Sequence, residues 1–161
     1  MTQSNTSPKF LLVKLSSLGD VIHNLPIVWD IRRRYPDAQI DWVVEEAYVD
    51  LLKPLQTRSD FKGIDRIISI GLRRWKRNIF KLQNWRELLQ FIGTLKTQKY
   101  DEIIDSQGLL KSAIVASLAR KTPHGKVTGL ANATQYSGYE PLARTFYNES
   151  VQVPKQCHAV D

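Results

Sequence analysis

Cysteine occurs once in the 161 residues, at Cys157, which excludes an internal disulfide and suits a reducing compartment. No apolar run approaches the roughly 20 residues that a membrane-spanning helix needs. The stretch Phe10 to Val13 is cut by Lys14, too short for the core of a signal peptide. A soluble, cytoplasmic protein is therefore expected. His23, His124 and His158 have no metal-ligand spacing among themselves or with Cys157, so no metal is expected. A Gly-x-Ser-x-Gly elbow is missing, which argues against a hydrolase of that type. So are the dinucleotide fingerprint and the P-loop. Acids are also scarce: 16 of them face 23 lysines and arginines, a formal net charge of +7. That balance asks for an anionic partner, whether nucleic acid, membrane surface, phosphate or carboxylated sugar.

What is present is globular in composition, with 42% hydrophobic and 24% charged residues in one domain's length. Residues 1–8 read as a flexible tail and 9–161 as a single domain. Phe10 to Leu15 fits a strand buried on both faces of a parallel sheet. A helical pattern follows from Asp20, ending at Arg32-Arg33-Arg34-Tyr35-Pro36. Pro26 falls inside that pattern, so either the helix bends there or its regular part begins near Asn24. Further strands are expected at Ile40–Glu45, Asp65–Ile70, Asp101–Asp105 and Lys126–Leu130. Helical stretches are expected at Ala47–Leu55, Trp85–Lys96, Leu109–Ala119 and Pro141–Tyr147, with a cationic loop at Leu72–Lys81. This alternation predicts a Rossmann-like three-layer α/β sandwich with a parallel sheet.

Ligands of open α/β sheets bind outside the carboxyl ends of the strands. Three segments fall there. In Ser16-Ser17-Leu18-Gly19-Asp20, small residues let a ligand approach the backbone, and Gly19 permits a positive φ. The helix start should keep Asp20 ionised, although a plain N-cap would also account for it. In Leu72-Arg73-Arg74-Trp75-Lys76-Arg77 the cations have no acid between Gly71 and Arg86, and Trp75 has a flat face for a sugar or base. A solvated charged face is the alternative, and a role in binding would favour carboxylate or phosphate. Asp105-Ser106-Gln107-Gly108 joins a strand to a helix and reads as either a turn or part of a cleft.

Val13 through Pro26 in turn resembles the opening signature of the ADP-heptose:lipopolysaccharide heptosyltransferases. Asp41-Trp42-Val43-Val44-Glu45-Glu46, Arg73-Arg74-Trp75 and Asp105 through Ser112 narrow the likeness to the heptosyltransferase I branch. Glu140-Pro141-Leu142-Ala143, Phe146-Tyr147-Asn148, Gln156 and His158-Ala159-Val160 extend it, so the likeness runs from about Lys9 to the end. The resemblance implies the N-terminal, acceptor-side half of a GT-B glycosyltransferase that needs no metal or other cofactor. It implies Kdo-lipid A as acceptor, ADP-heptose as donor, inversion at the anomeric carbon, and a peripheral position on the cytoplasmic face of the inner membrane.

By that resemblance Asp20 is the catalytic base. Arg73, Arg74, Lys76 and Arg77 form the cationic segment that meets the acidic acceptor, and Lys14, Ser16, Ser17, Gly19, Gln107 and Gly108 line the cleft. The order Lys76-Arg77 departs from the Arg-Lys order of one branch. The chain ends at what reads as the start of another helix, leaving nothing for a donor domain. These 161 residues alone are therefore expected to bind acceptor weakly and transfer nothing. Two rival readings stand beside this one. A basic α/β nucleic-acid-binding module explains the charge and Trp75 but not Asp20 beside the glycine turn, so no nucleic-acid partner is expected. A heptosyltransferase acting on a later core sugar would keep the chemistry and change the acceptor.

Overall fold

A computed structural model describes residues 7–154 apart from residues 79 and 134–137. Most of the expected N-terminal tail, Cys157, the Gln156 and His158–Val160 motif and the expected final helix lie outside the described residues. Pro8 does not belong to a tail: its carbonyl accepts a hydrogen bond from the Gln39 N–H at 2.9 Å.

Strand β1 (Lys9–Val13) is short and wholly apolar after its lysine, and it sits at the centre of a six-stranded parallel sheet. Beside it run β2 (Gln39–Glu45) and β3 (Arg66–Ile70) on one side. On the other lie β4 (Lys99–Asp105), β5 (Arg120–Leu130) and the three-residue β6 (Glu149–Val151). The order is β3-β2-β1-β4-β5-β6, every neighbouring pair parallel. Successive side chains of β1 go to opposite faces, and both faces are covered. Leu11 and Val13 pack with Phe91, Leu95, Val115 and Ala116, while Phe10 and Leu12 pack with Val21, Val28, Ile31 and Leu52. The three-layer α/β expectation is met. The sixth strand has no counterpart in the sequence reading, because three exposed residues carry no alternating signal.

The Pro26 difficulty resolves into two helices. α1 (Leu18–His23) ends at Asn24, and α2 (Pro26–Arg34) begins with Pro26 at its first position, where a missing N–H costs nothing. After β2, a turn of 3-10 helix leads into α3 (Val49–Leu52). The expected cationic loop after β3 is instead a helix, α4 (Leu72–Arg77), followed by α5 (Leu82–Leu95). A Leu72 and Trp75 pair packed on the core winds that segment up. α6 (Leu110–Leu118) follows β4. No helix among the described residues is long and apolar enough to cross a membrane.

Candidate functional site

The chain leaves β1 toward β2 on one side and returns to β4 on the other, so the sheet order reverses between β1 and β4. In doubly wound sheets the crevice at the carboxyl ends of two such strands receives the ligand. Here that crevice is walled by Lys14–Asp20 after β1 and Asp105–Lys111 after β4.

Gln107 joins the two walls. Its side-chain oxygen accepts the Leu15 N–H at 2.8 Å and the Ser16 N–H at 3.4 Å, and its amide nitrogen faces Ser16 Oγ at 3.4 Å. It is 5% exposed, so it braces the crevice more than it lines it. Asp105, 1% exposed, organises the β4 wall. It accepts from Tyr147 Oη (2.7 Å), Ser112 Oγ (2.9 Å), and the N–H groups of Gln107 and Gly108. Burial pushes the Asp105 carboxyl above its ordinary range despite these four donors. Burial and the neighbouring Asp105 carboxylate likewise push the Tyr147 hydroxyl up. Gly108 has φ +72°, a conformation that suits glycine, and a Cβ there would approach Leu130 Cδ1 to 3.2 Å.

Lys14 is buried and donates to the Ser106 carbonyl at 3.1 Å. Desolvation lowers its pKa, opposed by the charges of Asp20 and Asp105. Lys111, which the sequence reading left unassigned, reaches Ser16 Oγ at 3.4 Å. Ser106 Oγ is buried without a hydrogen-bond partner among the described residues, an unused polar atom at the crevice.

Asp20 is not the N-cap. Ser17 holds that place, and Asp20, at the third helical position, accepts from the Ser17 N–H at 2.7 Å and the Ser17 hydroxyl at 2.8 Å. Partial burial works against its charge. The two Ser17 bonds, with Lys14 and His23 nearby, outweigh that and hold its carboxyl below the ordinary range. Both Ser17 bonds fall on one oxygen, Oδ2. Gly19 does not take the positive φ that the sequence reading allowed for. It lies within α1, and a Cβ added to it would meet nothing within 4 Å, so the space over this turn is open.

The α4 corner, after β3, opens on the same sheet edge with β2 between. Its cations do not behave alike. Arg74 is fully engaged, bonding Glu46 (3.0 and 3.1 Å) and Glu87 (2.6 Å), and these bonds raise its pKa. The expectation that the run lacks compensating acid is thus corrected: the 3-10 turn after β2 and helix α5 supply the acids from elsewhere in the sequence. Glu87 is held at about 2, first by Arg74 and then by the Trp75 indole N–H, which donates to it at 3.0 Å. Trp75 is no free platform, because its ring also meets Phe91 edge-on at 6.2 Å. Arg73 lies over the Tyr48 ring at 5.5 Å while its N–H donates to Glu45. Lys76 and Arg77 are exposed. Among the described residues no group of three potential metal ligands gathers anywhere.

The model of glycosyltransferase family 9 (heptosyltransferase) matches residues 88–161. Lipopolysaccharide heptosyltransferase 1 of Pseudomonas aeruginosa is 39% identical over 95% of this chain and 40% of its own length. The Escherichia coli K12 protein of the same name is 38% identical over 95% of this chain and 44% of its own. The structure of E. coli heptosyltransferase WaaC with ADP superposes with a TM-score of 0.79 and 35% identity, covering 94% of this chain and 44% of WaaC. A family 9 glycosyl transferase from Veillonella parvula, at 18% identity and a TM-score of 0.62, shares the fold. The chain thus spans less than half the length of the curated relatives it matches, and the likeness to heptosyltransferase I holds along nearly all of it.

Proposed function

We propose that this chain is the acceptor-side portion of an inverting heptosyltransferase of glycosyltransferase family 9, moving heptose from ADP-heptose to the Kdo of Kdo-lipid A. The observation that carries the reading is the carboxylate of Asp20, held ionised by Ser17 at the mouth of the β1–β4 crevice, with open space over Gly19. A hydroxyl of Kdo attacks the anomeric carbon, its oxygen forming the new glycosidic bond as the bond to ADP breaks. ADP leaves with the electron pair, and Asp20 takes the hydroxyl proton. A carboxylate with a lowered pKa is a weak base, but the proton becomes acidic as the new bond forms, so late transfer to Asp20 suffices.

The residues of the two walls divide the remaining work. Gln107 and Asp105 set the spacing of the β1 and β4 ends, so the base is presented from rigid strands. Lys14 and Lys111 bring positive charge to the crevice, and Arg73, Lys76 and Arg77 extend it along the edge toward an acceptor rich in carboxylate and phosphate. Arg74 holds the corner together. Peripheral association with the cytoplasmic face of the inner membrane follows from a lipid-borne acceptor. The nucleic-acid reading gains no support, because the likeness to heptosyltransferases runs along nearly all of the chain.

The test is transfer from ADP-heptose. Joined to a donor-binding half and supplied with Kdo-lipid A, this portion should support ADP release and the addition of one heptose, whereas the 161 residues alone should bind the acceptor weakly and transfer nothing. An acceptor lacking Kdo should give neither, and preference for an already heptosylated acceptor would reassign the step.

A further inference from the structure

Helix α5 carries apolar side chains on two faces. Phe91 and Leu95 are buried, with Leu88 and Ile92 packed beside them against the core. The other stripe, Leu82, Trp85 and Leu89, stands in solvent at 65, 56 and 68% exposure, and Phe80 just before it is 94% exposed. A helix apolar on both sides is ordinarily covered on both, and contiguous exposed apolar surface marks a place of interaction. Around the stripe are Lys76, Arg77, Lys81 and Arg86, all exposed. None of the four is in an ion pair among the described residues. The acid on the same stretch, Glu87, is taken by Arg74 and Trp75. Between α4 and α5 a groove of about 210 Å³ opens beside this patch, lined by Leu72, Trp75, Lys76, Asn84, Trp85 and Leu88. Because α4 starts where β3 ends, the patch lies at the end of α5 nearest the sheet edge that carries the crevice.

We propose that this corner is the membrane-docking surface of the protein: Phe80, Leu82 and Leu89 enter the boundary between headgroups and acyl chains of an anionic bilayer. Lys81 and Arg86 meet the lipid phosphates. The inference rests on the peripheral association proposed above and names the surface that makes it. Charge complementarity selects the occupant. A second copy of this chain would bring two cationic rims face to face, and lysine is depleted at the cores of protein interfaces. Exposed aliphatic side chains gain nothing against a nucleic-acid backbone. An apolar stripe flanked by cations matches an anionic lipid surface on both counts.

Flotation with vesicles of phosphatidylcholine, alone or with phosphatidylglycerol, tests this. The protein should bind the anionic vesicles and much less the neutral ones. Leu82→Gln with Leu89→Gln should weaken binding at least tenfold, as expected for two partly inserted leucines. Lys81→Glu with Arg86→Glu should weaken it by a similar factor, at about fivefold per cation, and high salt should mimic that change. All four positions are exposed, so thermal unfolding should be unaltered. Variants that float like the unaltered protein, or binding indifferent to lipid charge, would overturn the proposal. So would a concentration-dependent dimer that Leu82→Gln with Leu89→Gln dissolves. With a donor-binding half joined to it, transfer to a soluble deacylated Kdo acceptor without vesicles should be unchanged in both double variants. If that joined protein transfers no heptose while anionic vesicles still bind, the glycosyltransferase reading fails and the docking surface stands.

Discussion

At the β1–β4 crevice, Lys14 is buried, Gln107 is wedged between two strand ends, and Asp105 meets four donors. At the α4–α5 corner, Lys76 and Arg77 reach into solvent beside Phe80 and Leu82. Both regions are cationic; the crevice holds its charges in fixed geometry, as the corner does with Arg74, whereas the exposed Lys76 and Arg77 have no ion pair among the described residues. Coulomb attraction is stronger and less screened where water is excluded, so the same charge acts precisely in the crevice and diffusely at the corner. Chemistry belongs in the first region and steering in the second. Substitutions in the crevice should therefore be large and insensitive to salt, and those of the exposed Lys76 and Arg77 at the corner small and salt-dependent.

The largest effect should come from Asp20→Asn. Loss of a general base costs about 10²- to 10⁴-fold in rate, and kcat should fall with little change in KM. The pH profile adds a signature. A carboxyl held below its unfolded value stays charged until pH drops through the folded value, so activity and the capping contribution to stability persist above the ordinary 3.8. Any acid limb of kcat/KM assigned to Asp20 must lie below that. A limb above it would contradict the role of Ser17.

Asp105→Ala should act through the fold instead. It strips the acceptor from Tyr147, Ser112 and two backbone N–H groups, which should cost about 3 kcal/mol in urea unfolding. The pH sign is opposite to that of Asp20. Burial raises the folded pKa of Asp105, so its ionisation opposes folding. That penalty is absent below the unfolded value and sets in as pH rises through the folded one. Two carboxylates of one crevice are thus shifted in opposite directions, the more exposed one suited to chemistry and the buried one to scaffolding. Gly108→Ala, at φ +72°, should cost a further step down, about 1–2 kcal/mol.

How far the sequence carried this comparison depends on the range of the interactions. The apolar runs of β1 and β2, the helix-strand alternation and the carboxyl-end rule are local or nearly so, and they placed the sheet and Asp20 at the correct edge. Pro26 was legible as a problem, but its answer, two helices, was neither the bend nor the start near Asn24 that the local pattern offered. What failed to show were pairings across the fold. Arg74 looked unopposed because Glu46 is 28 residues away and Glu87 is 13 away. Gln107 looked like a turn residue because its partners, Leu15 and Ser16, lie more than 90 residues earlier. Gly19 and Gly108 could not be told apart by type: Gly19 lies within α1, while Gly108, close to Leu130 and Tyr139, takes the positive φ.

Arg77→Ala probes the other side of the comparison. An exposed cation contributes about 0.2–1 kcal/mol to an ionic contact, so acceptor affinity should fall by roughly fivefold at most. The loss should fade as salt rises past the point where the Debye length is about 8 Å. Arg74→Ala should behave differently, with a loss that persists in salt, because Glu46 and Glu87 lose the partner that fixes them. Equal salt dependence of the two would erase the distinction between holding the corner and steering the acceptor.

Gly19→Ala should give the smallest change in stability and the sharpest information. The residue lies in α1, its added methyl would meet nothing within 4 Å, and no positive φ stands in the way. Helix propensity alone then predicts stabilisation by about 0.5–1 kcal/mol, read as a raised Tm. If nothing ever occupies the space above the turn, transfer should be untouched. If the acceptor sugar passes over this backbone to reach Asp20, the methyl stands in its path, and KM for the acceptor should rise while the protein becomes more stable. Stability and affinity moving in opposite directions would mark Gly19 as kept small for a ligand, a conclusion that a destabilised variant could never support.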